Sequence, residues 1–283
     1  MPKLWKSTPE ELYKRTKAMY KNKKVLITGG ASGIGRIMAR KLLEQGATVV
    51  VWDISQKNID DTLSALTPLG TITANIVDIS DNQSVVSAAE EVLAKHKTID
   101  VLINSAGIVV GKQFSDSTVQ DIERTMGINT NGAMFVALAF LPGMIAQGSG
   151  HICNIASSAS LVSNPNMSIY AASKWAVLGW SDSLRLELRK SGVKVTTVMP
   201  YYISTGMFDG VHSRILPILK PERVASVTLK AIRKGTRLRT VYGWFYHTLR
   251  IMQGLLPLSI YDFVLEHIFG IYSTMDHFVG RKQ

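Results

Sequence analysis

Residues 170–174 read YAASK, a phenol and an ammonium four positions apart. On a helix that spacing stacks Tyr170 and Lys174 on one face, one turn apart. Taken alone, such a pair is an ordinary surface feature of an amphipathic helix. Its sharper use is proton chemistry. A free tyrosine titrates near pH 10, and bringing it to about 7 takes roughly 4 kcal/mol in favour of the phenolate. One cation at ~4 Å in an effective dielectric of ~20 supplies about that much. Lys174 is one such cation. Ser157, 13 residues before Tyr170, offers a hydroxyl that can bind a substrate oxygen and steady its charge. Alone, Ser157 is one serine of a serine-rich loop, and Asn129 in NTNG is a cap or turn residue.

Upstream lies a candidate phosphate cradle. Residues 28–35, TGGASGIG, follow an apolar run and open a helical pattern. Gly29, Gly33 and Gly35 stand where a tight strand-to-helix turn needs them, with Ser32 and Ile34 between. A missing side chain lets a pyrophosphate approach the backbone and the helix N-terminus. A merely close-packed turn would use the same glycines; the place after a first strand favours the cofactor. Asp53 ends the second strand candidate, 18 residues after Gly35. A carboxylate there accepts from an adenine-ribose 2′-hydroxyl and repels a 2′-phosphate, so NAD is expected over NADP. The same aspartate in WDIS could serve as a helix cap, and Arg36 is the competing cue for a phosphate.

These groups need a scaffold. Short β-branched runs at 24–28, 47–52, 71–77, 99–104, 151–156 and 193–199 alternate with helical patterns near 34–45, 56–66, 82–96, 118–147 and 170–190. A last short strand is expected at 239–243. Near-continuous apolar strands separated by helices predict a parallel sheet covered on both faces.

The order TGGASGIG, NSAG (104–107), Asn129, Ser157 and YAASK resembles the short-chain dehydrogenase/reductase family over about residues 22–210. The resemblance implies a single-domain, Rossmann-type, doubly wound α/β fold. It implies a catalytic tetrad of Asn129, Ser157, Tyr170 and Lys174, with Asn129 holding a water that relays protons from Lys174. It also implies that Asp78 and Ile79 border the adenine, and that Asn104, Ala106 and Gly107 line the cofactor groove. Ile203 and Thr205 would hold the nicotinamide carboxamide, and Tyr170 and Lys174 would touch the cofactor as well. Two departures leave the tetrad untouched: NSAG stands for the usual NNAG, and PYYIST (200–205) for the common Pro-Gly start. PYYISTGMFDG (200–210) and MDHFVGR (275–281) resemble the branch of retinol dehydrogenases and 17β-hydroxysteroid dehydrogenase-like proteins, which act on lipids.

Of 283 residues, 46% are hydrophobic and 19% charged, which suits one large domain and argues against disorder. We expect a catalytic domain at 22–243, a basic N-terminal extension at 1–21 and a helical C-terminal extension at 244–283. Cys153 is the only cysteine, so no internal disulfide forms and a reducing, cytoplasmic setting is expected, with Cys153 a buried strand residue. The six histidines are scattered, and no metal site is expected. The N-terminus carries charges where a signal peptide is apolar, and the apolar stretch 133–146 is too short to span a bilayer.

The net charge of +11 sits at the two ends. Residues 1–24 hold eight basic and two acidic residues, and 211–283 hold eleven and four. Such ends are expected to meet something anionic, here a membrane surface. Interleaved aromatic and basic residues are not evident, so nucleic acid is not an expected partner. Residues 241–272 read as short amphipathic helices. They would form a hydrophobic lid over the substrate, docked peripherally on a membrane; a subunit interface or domain cap is the other reading. Assembly as a homodimer or homotetramer is expected. The expected function is NAD-dependent interconversion of an apolar alcohol and its carbonyl, on a retinoid, steroid or long-chain alcohol of lipid metabolism. A 3-oxoacyl reductase acting on a carrier-protein or CoA thioester is the alternative, and a non-enzymatic lipid-binding scaffold is a third reading.

Overall fold

Among the described residues seven strands form one sheet. They are β1 (Lys24–Thr28), β2 (Thr48–Asp53), β3 (Ile72–Ile76), β4 (Val101–Asn104), β5 (Gly150–Ile155), β6 (Val193–Met199) and β7 (Leu238–Thr240). The central ones, β1, β2, β4, β5 and β6, are buried along most of their length. The computed structural model describes residues 20–214 and 216–280. Nearly all of the expected basic N-terminal extension, 1–19, lies outside them. The strand order is β3-β2-β1-β4-β5-β6-β7, with every pairing parallel. The chain reverses its direction of travel across the sheet between β1 and β4. In open parallel sheets, ligands bind in the crevice at the strand C-termini beside such a switch.

The helices are α1 (Gly33–Leu43), α2 (Gln56–Leu66), α3 (Asn82–His96), α4 (Val119–Met126), α5 (Ala133–Ala146), α6 (Ser168–Glu187), α7 (Pro221–Lys234), α8 (Gly243–Leu255) and α9 (Leu258–Phe263). Successive strand residues feed opposite faces, as the pleat dictates. Val25, Ile27, Val49 and Val51 pack with Met38 and Leu42 of α1, Ile59 of α2 and Leu229 of α7. Cys153 lies in that same layer, fully buried as expected. Leu26, Val50, Trp52 and Leu102 pack with Val85 of α3, Phe140 of α5 and Leu184 of α6. A third cluster lies beyond the strand ends, where Tyr170, Tyr201 and Tyr202 meet Phe245, Leu249, Tyr261 and Leu265 from the C-terminal helices.

Two features differ from the sequence reading. The helical run expected at 118–147 is interrupted by a π-helical turn, Gly127–Gly132, between α4 and α5. The run Val119–Ala146 is long and apolar enough to cross a membrane, judged by length and composition only. Its apolar face is used on the sheet, where Val136, Phe140 and Met144 are buried. Helix α7 was not foreseen, although Val224, Ala225, Thr228, Leu229 and Ile232 of PERVASVTLKAIRK form a buried stripe at helical spacing. Its ends are marked by Pro221 in the first turn and by Gly235, at φ +62°, just past the last.

Candidate active site

The turn between β1 and α1 is built for close approach. Gly29 has φ +63°, and a Cβ there would stand 2.8 Å from the Cα of Ala106. A Cβ on Gly35 would collide with the Gly29 carbonyl. Two glycines therefore let the first turn of α1 close down on the loop after β4. Thr28 locks that loop, its hydroxyl accepting from the amides of Ser105 (3.1 Å) and Ala106 (3.2 Å). Ser32 caps α1 by position, yet its side chain makes no capping bond. The hydroxyl and the helix N-terminus are thus available to an anion.

One cavity of about 470 Å³ runs along the strand C-termini, a volume typical of ligand sites. Its first half is lined by Gly29, Ser32, Gly33, Ile34, Gly35, Asp53, Asp78, Ile79, Ala106 and Gly107, all foreseen from the sequence. Asp53 Oδ2 accepts from Ala31 N (3.1 Å) and Oδ1 from Ser55 N (3.2 Å), which fixes the carboxylate at the end of β2. Asp78 Oδ1 accepts from the amide (2.9 Å) and hydroxyl (2.6 Å) of Ser80. Arg36 does not line this cavity; its guanidinium donates to the Asp61 carbonyl on α2 at 2.9 Å.

The second half holds Ser157, Tyr170, Lys174, Ile203 and Thr205. Tyr170 and Lys174 lie on one face of α6, and both are buried. Lys174 Nζ stands 5.7 Å from the centre of the Tyr170 ring and donates to the Ile155 carbonyl at 3.0 Å. Ser157 Oγ accepts from Ala159 N at 3.1 Å, which leaves its proton for another acceptor. Burial pushes the Tyr170 phenol up to about 12, opposed by its hydrogen bond with Ser157. Burial pushes Lys174 down to about 8. Burial outweighs the Ser157 hydrogen bond, so Tyr170 rests as a protonated phenol, a proton donor until positive charge gathers beside it.

Two expected residues occupy other places. Asn104 does not line the cavity: as the last residue of β4 it points into the protein, donating to Asn154 Oδ1 (2.9 Å) and the Ala133 carbonyl (3.1 Å). It ties β4 to β5 and α5, while Ala106 and Gly107 face the ligand. Asn129 also lies behind the wall, buried in the π-helical turn. Its Oδ1 accepts from Ile108 N (2.8 Å), and its Nδ2 donates to the Ile108 carbonyl (2.9 Å) and Ser173 Oγ (3.0 Å). The carboxamide is thus occupied in shaping the loop after β4 and in bracing α6. Asn129 remains close to the site, since Gly107 would bring a Cβ to 3.1 Å of its Oδ1 and 3.5 Å of Lys174 Nζ.

Several lining residues were not singled out beforehand. Arg124 of α4 lines the cavity, and nothing in VQDIERTM marks it. Asn164, Met167, Tyr202 and Phe208 line the far end with Phe245 and Ile271 from the C-terminal segment. Phe245 and Ile271 belong to the segment 241–272 that was expected to cover the substrate. Among the described residues no group of three or more His, Cys, Asp or Glu is placed to hold a metal ion.

The family model described as short chain dehydrogenase matches residues 23–215. Epidermal retinol dehydrogenase 2 of Mus musculus is 33% identical over 267 residues, covering 92% of this chain and 86% of that protein. Short-chain dehydrogenase/reductase 3 of Homo sapiens is 35% identical over 263 residues, covering 91% and 86%. Among solved structures, a short-chain dehydrogenase/reductase of Burkholderia phymatum in complex with NAD superposes with a TM-score of 0.77 at 25% identity, covering 83% of this chain and 94% of that one. A metagenomic short-chain oxidoreductase in complex with NADP gives 0.69 at 26%, covering 79% and 96%.

Proposed function

The chain belongs to the short-chain dehydrogenase/reductase family, in its retinol dehydrogenase-like branch, and we propose that it interconverts an apolar alcohol and its carbonyl compound with NAD. The observation that carries this reading is the meeting of Ser157, Tyr170 and Lys174 in the same cavity as the glycine turn and Asp53. The residues fit a dinucleotide. The glycine turn and the N-terminus of α1 would cradle its pyrophosphate, and Asp53 its adenine ribose. When bound, the nicotinamide accepts or supplies a hydride, and its oxidised ring carries a positive charge.

The chain itself handles the proton and the oxygen. Ser157 donates its proton to the substrate oxygen and stabilises charge building there. Tyr170 exchanges a proton with that same oxygen, donating to the carbonyl in reduction and accepting from the alcohol in oxidation. Lys174, anchored on Ile155, holds positive charge beside the phenol so that loss of the proton is not prohibitive. The wall of Met167, Phe208, Phe245 and Ile271 excludes water and favours an apolar skeleton. That wall, and the retinol dehydrogenase relatives, favour a lipid alcohol over an acyl thioester. NAD over NADP rests on Asp53 and on Arg36 being turned away to α2.

Tyr170→Phe tests the reading. The ring stays, so packing and NAD binding persist, while turnover falls by about 10²–10⁴-fold. Near-wild-type rates in that variant would remove Tyr170 from the mechanism.

The surroundings support two further parts of the proposal. Trp244, Ile251, Leu255 and Leu258 form an exposed apolar row on the outer side of α8 and the start of α9, whose inner side presents Phe245 to the cavity. Exposed Arg250 lies on α8 as well. This arrangement favours peripheral docking on an anionic membrane, from which an apolar alcohol enters. Leu138 of α5 and Trp175 of α6 are exposed apolar side chains that favour pairing with a second copy.

A further inference from the structure

The substrate end of the cavity is apolar except at one hydrogen-bonded knot. Asn164 and Tyr202 line the cavity, and Thr274 joins them from the C-terminal segment. Counting protons decides which way the knot faces. Thr274 has one hydroxyl proton, and it is donated to the Ile271 carbonyl at 2.8 Å. Thr274 Oγ1 is therefore an acceptor toward Tyr202 Oη at 3.0 Å and toward Asn164 Nδ2 at 3.2 Å. Tyr202 sends its own proton to Thr274, with Met167 Sδ a weaker acceptor at 3.5 Å, and so accepts from Asn164 Nδ2 at 2.8 Å. The amino side of the Asn164 amide is thus used on two oxygens. Its other end, Oδ1, is an acceptor that meets no donor among the described residues.

The amide is also held in place. Asn164 opens a tight turn with Pro165 second and Asn166, at φ +63°, third, and its carbonyl accepts from Met167 N at 3.3 Å. Proline fixes φ at the second position of such a turn, and asparagine tolerates the left-handed third. Nδ2, not Oδ1, is the end of the amide set on the Tyr202 and Thr274 oxygens.

We propose that Asn164 Oδ1 recognises a second hydroxyl on the substrate, distinct from the one at the reacting carbon. The inference rests on the reading of this site as an oxidoreductase for apolar alcohols, and it narrows the substrate class to apolar diols. A keto or ether oxygen at the same position would oppose acceptor to acceptor. Asn164 is half-buried, so one net hydrogen bond corresponds to roughly a tenfold preference.

The experiment uses the full chain with NAD and a panel of long-chain primary alcohols of one length. Members carry a second hydroxyl at successive carbons, the matching keto group, or neither. One hydroxylated isomer, or neighbouring isomers, should exceed the parent and the keto counterpart about tenfold in kcat/KM, mainly through KM. Asn164→Leu should erase that ratio. Thr274→Val removes the oxygen that orients the amide, and should raise the keto compounds relative to the hydroxylated ones. The Thr274→Val arm carries the test should Asn164→Leu fail to fold. No hydroxylated isomer preferred by the wild type, or a preference that survives Asn164→Leu, would overturn the proposal while leaving the oxidoreductase reading intact. No turnover of any alcohol would overturn that reading, and this one with it.

Discussion

Asp53→Asn separates the two cofactors by a charge that can be counted. A 2′-phosphate carries about −1.5 to −2 charges at pH 7. Seated on the oxygen that Asp53 would otherwise bind, it lies about 6 Å from the carboxylate. At an effective dielectric of ~20 the repulsion is about 4–5.5 kcal/mol, and screening at the half-exposed rim brings it to about 2–3 kcal/mol. That corresponds to roughly a 30- to 150-fold preference for NAD in kcat/KM. The carboxylate cannot swing away cheaply, because both oxygens are held, one by Ala31 N and the other by Ser55 N. Asparagine keeps the shape and one acceptor oxygen while removing the charge. The assay is the ratio of kcat/KM for NAD and NADP, followed by reduced-nicotinamide absorbance, in wild type and variant. The wild type should favour NAD by that margin, and Asp53→Asn should bring the ratio toward unity. A wild type that favours NADP, or a ratio unmoved by the substitution, would refute the reasoning. Arg36, released from Asp61, would then be the residue to remove.

Burial holds Lys174 down to about 8, so its ammonium is lost as pH rises through that value. Carbonyl reduction should therefore decline above about pH 8, and Lys174→Met should slow it and remove the inflection; a flat wild-type profile between about pH 7 and 9 counts against this. Burial also pushes His151 down to about 4, where Nε2 meets Thr196 Oγ1 at 2.8 Å and Thr196 donates onward to the Thr236 carbonyl. Its folded value lies below the unfolded ~6.5, so the unfolded chain binds the extra proton between the two. Stability should then be full above about pH 6.5 and drop by about 3 kcal/mol toward pH 4. Denaturant midpoints across that range should flatten in His151→Leu, and an equal acid loss in the variant would rule the histidine out. For the membrane row, co-sedimentation with anionic vesicles at low salt should exceed that with neutral ones, and Leu255→Asp with Leu258→Asp should weaken it. Absence of binding to either vesicle at any salt would reject the docking face.

The chain order alone specified most of the catalytic end, because those groups are local. Gly29, Gly33 and Gly35 share one turn, Asp53 ends a strand, and Tyr170 and Lys174 are one helical turn apart on α6. The near-continuous apolar runs specified the covered parallel sheet for the same reason: each strand must satisfy two faces at once. Asn104 was expected in the groove from the family resemblance, but the pleat sends this last residue of β4 inward, while Ala106 and Gly107, beyond its end, line the cavity. Tertiary structure decided what depends on distance along the chain. Asn164 meets Tyr202 across 38 residues and Thr274 across 110. No local pattern encodes such a meeting, because it exists only once the C-terminal segment has folded back over the sheet. The state of the catalytic pair was likewise decided there. Tyr170 and Lys174 have fixed chemistry in the sequence, but their affinity for a proton depends on how much water the surrounding fold removes from them.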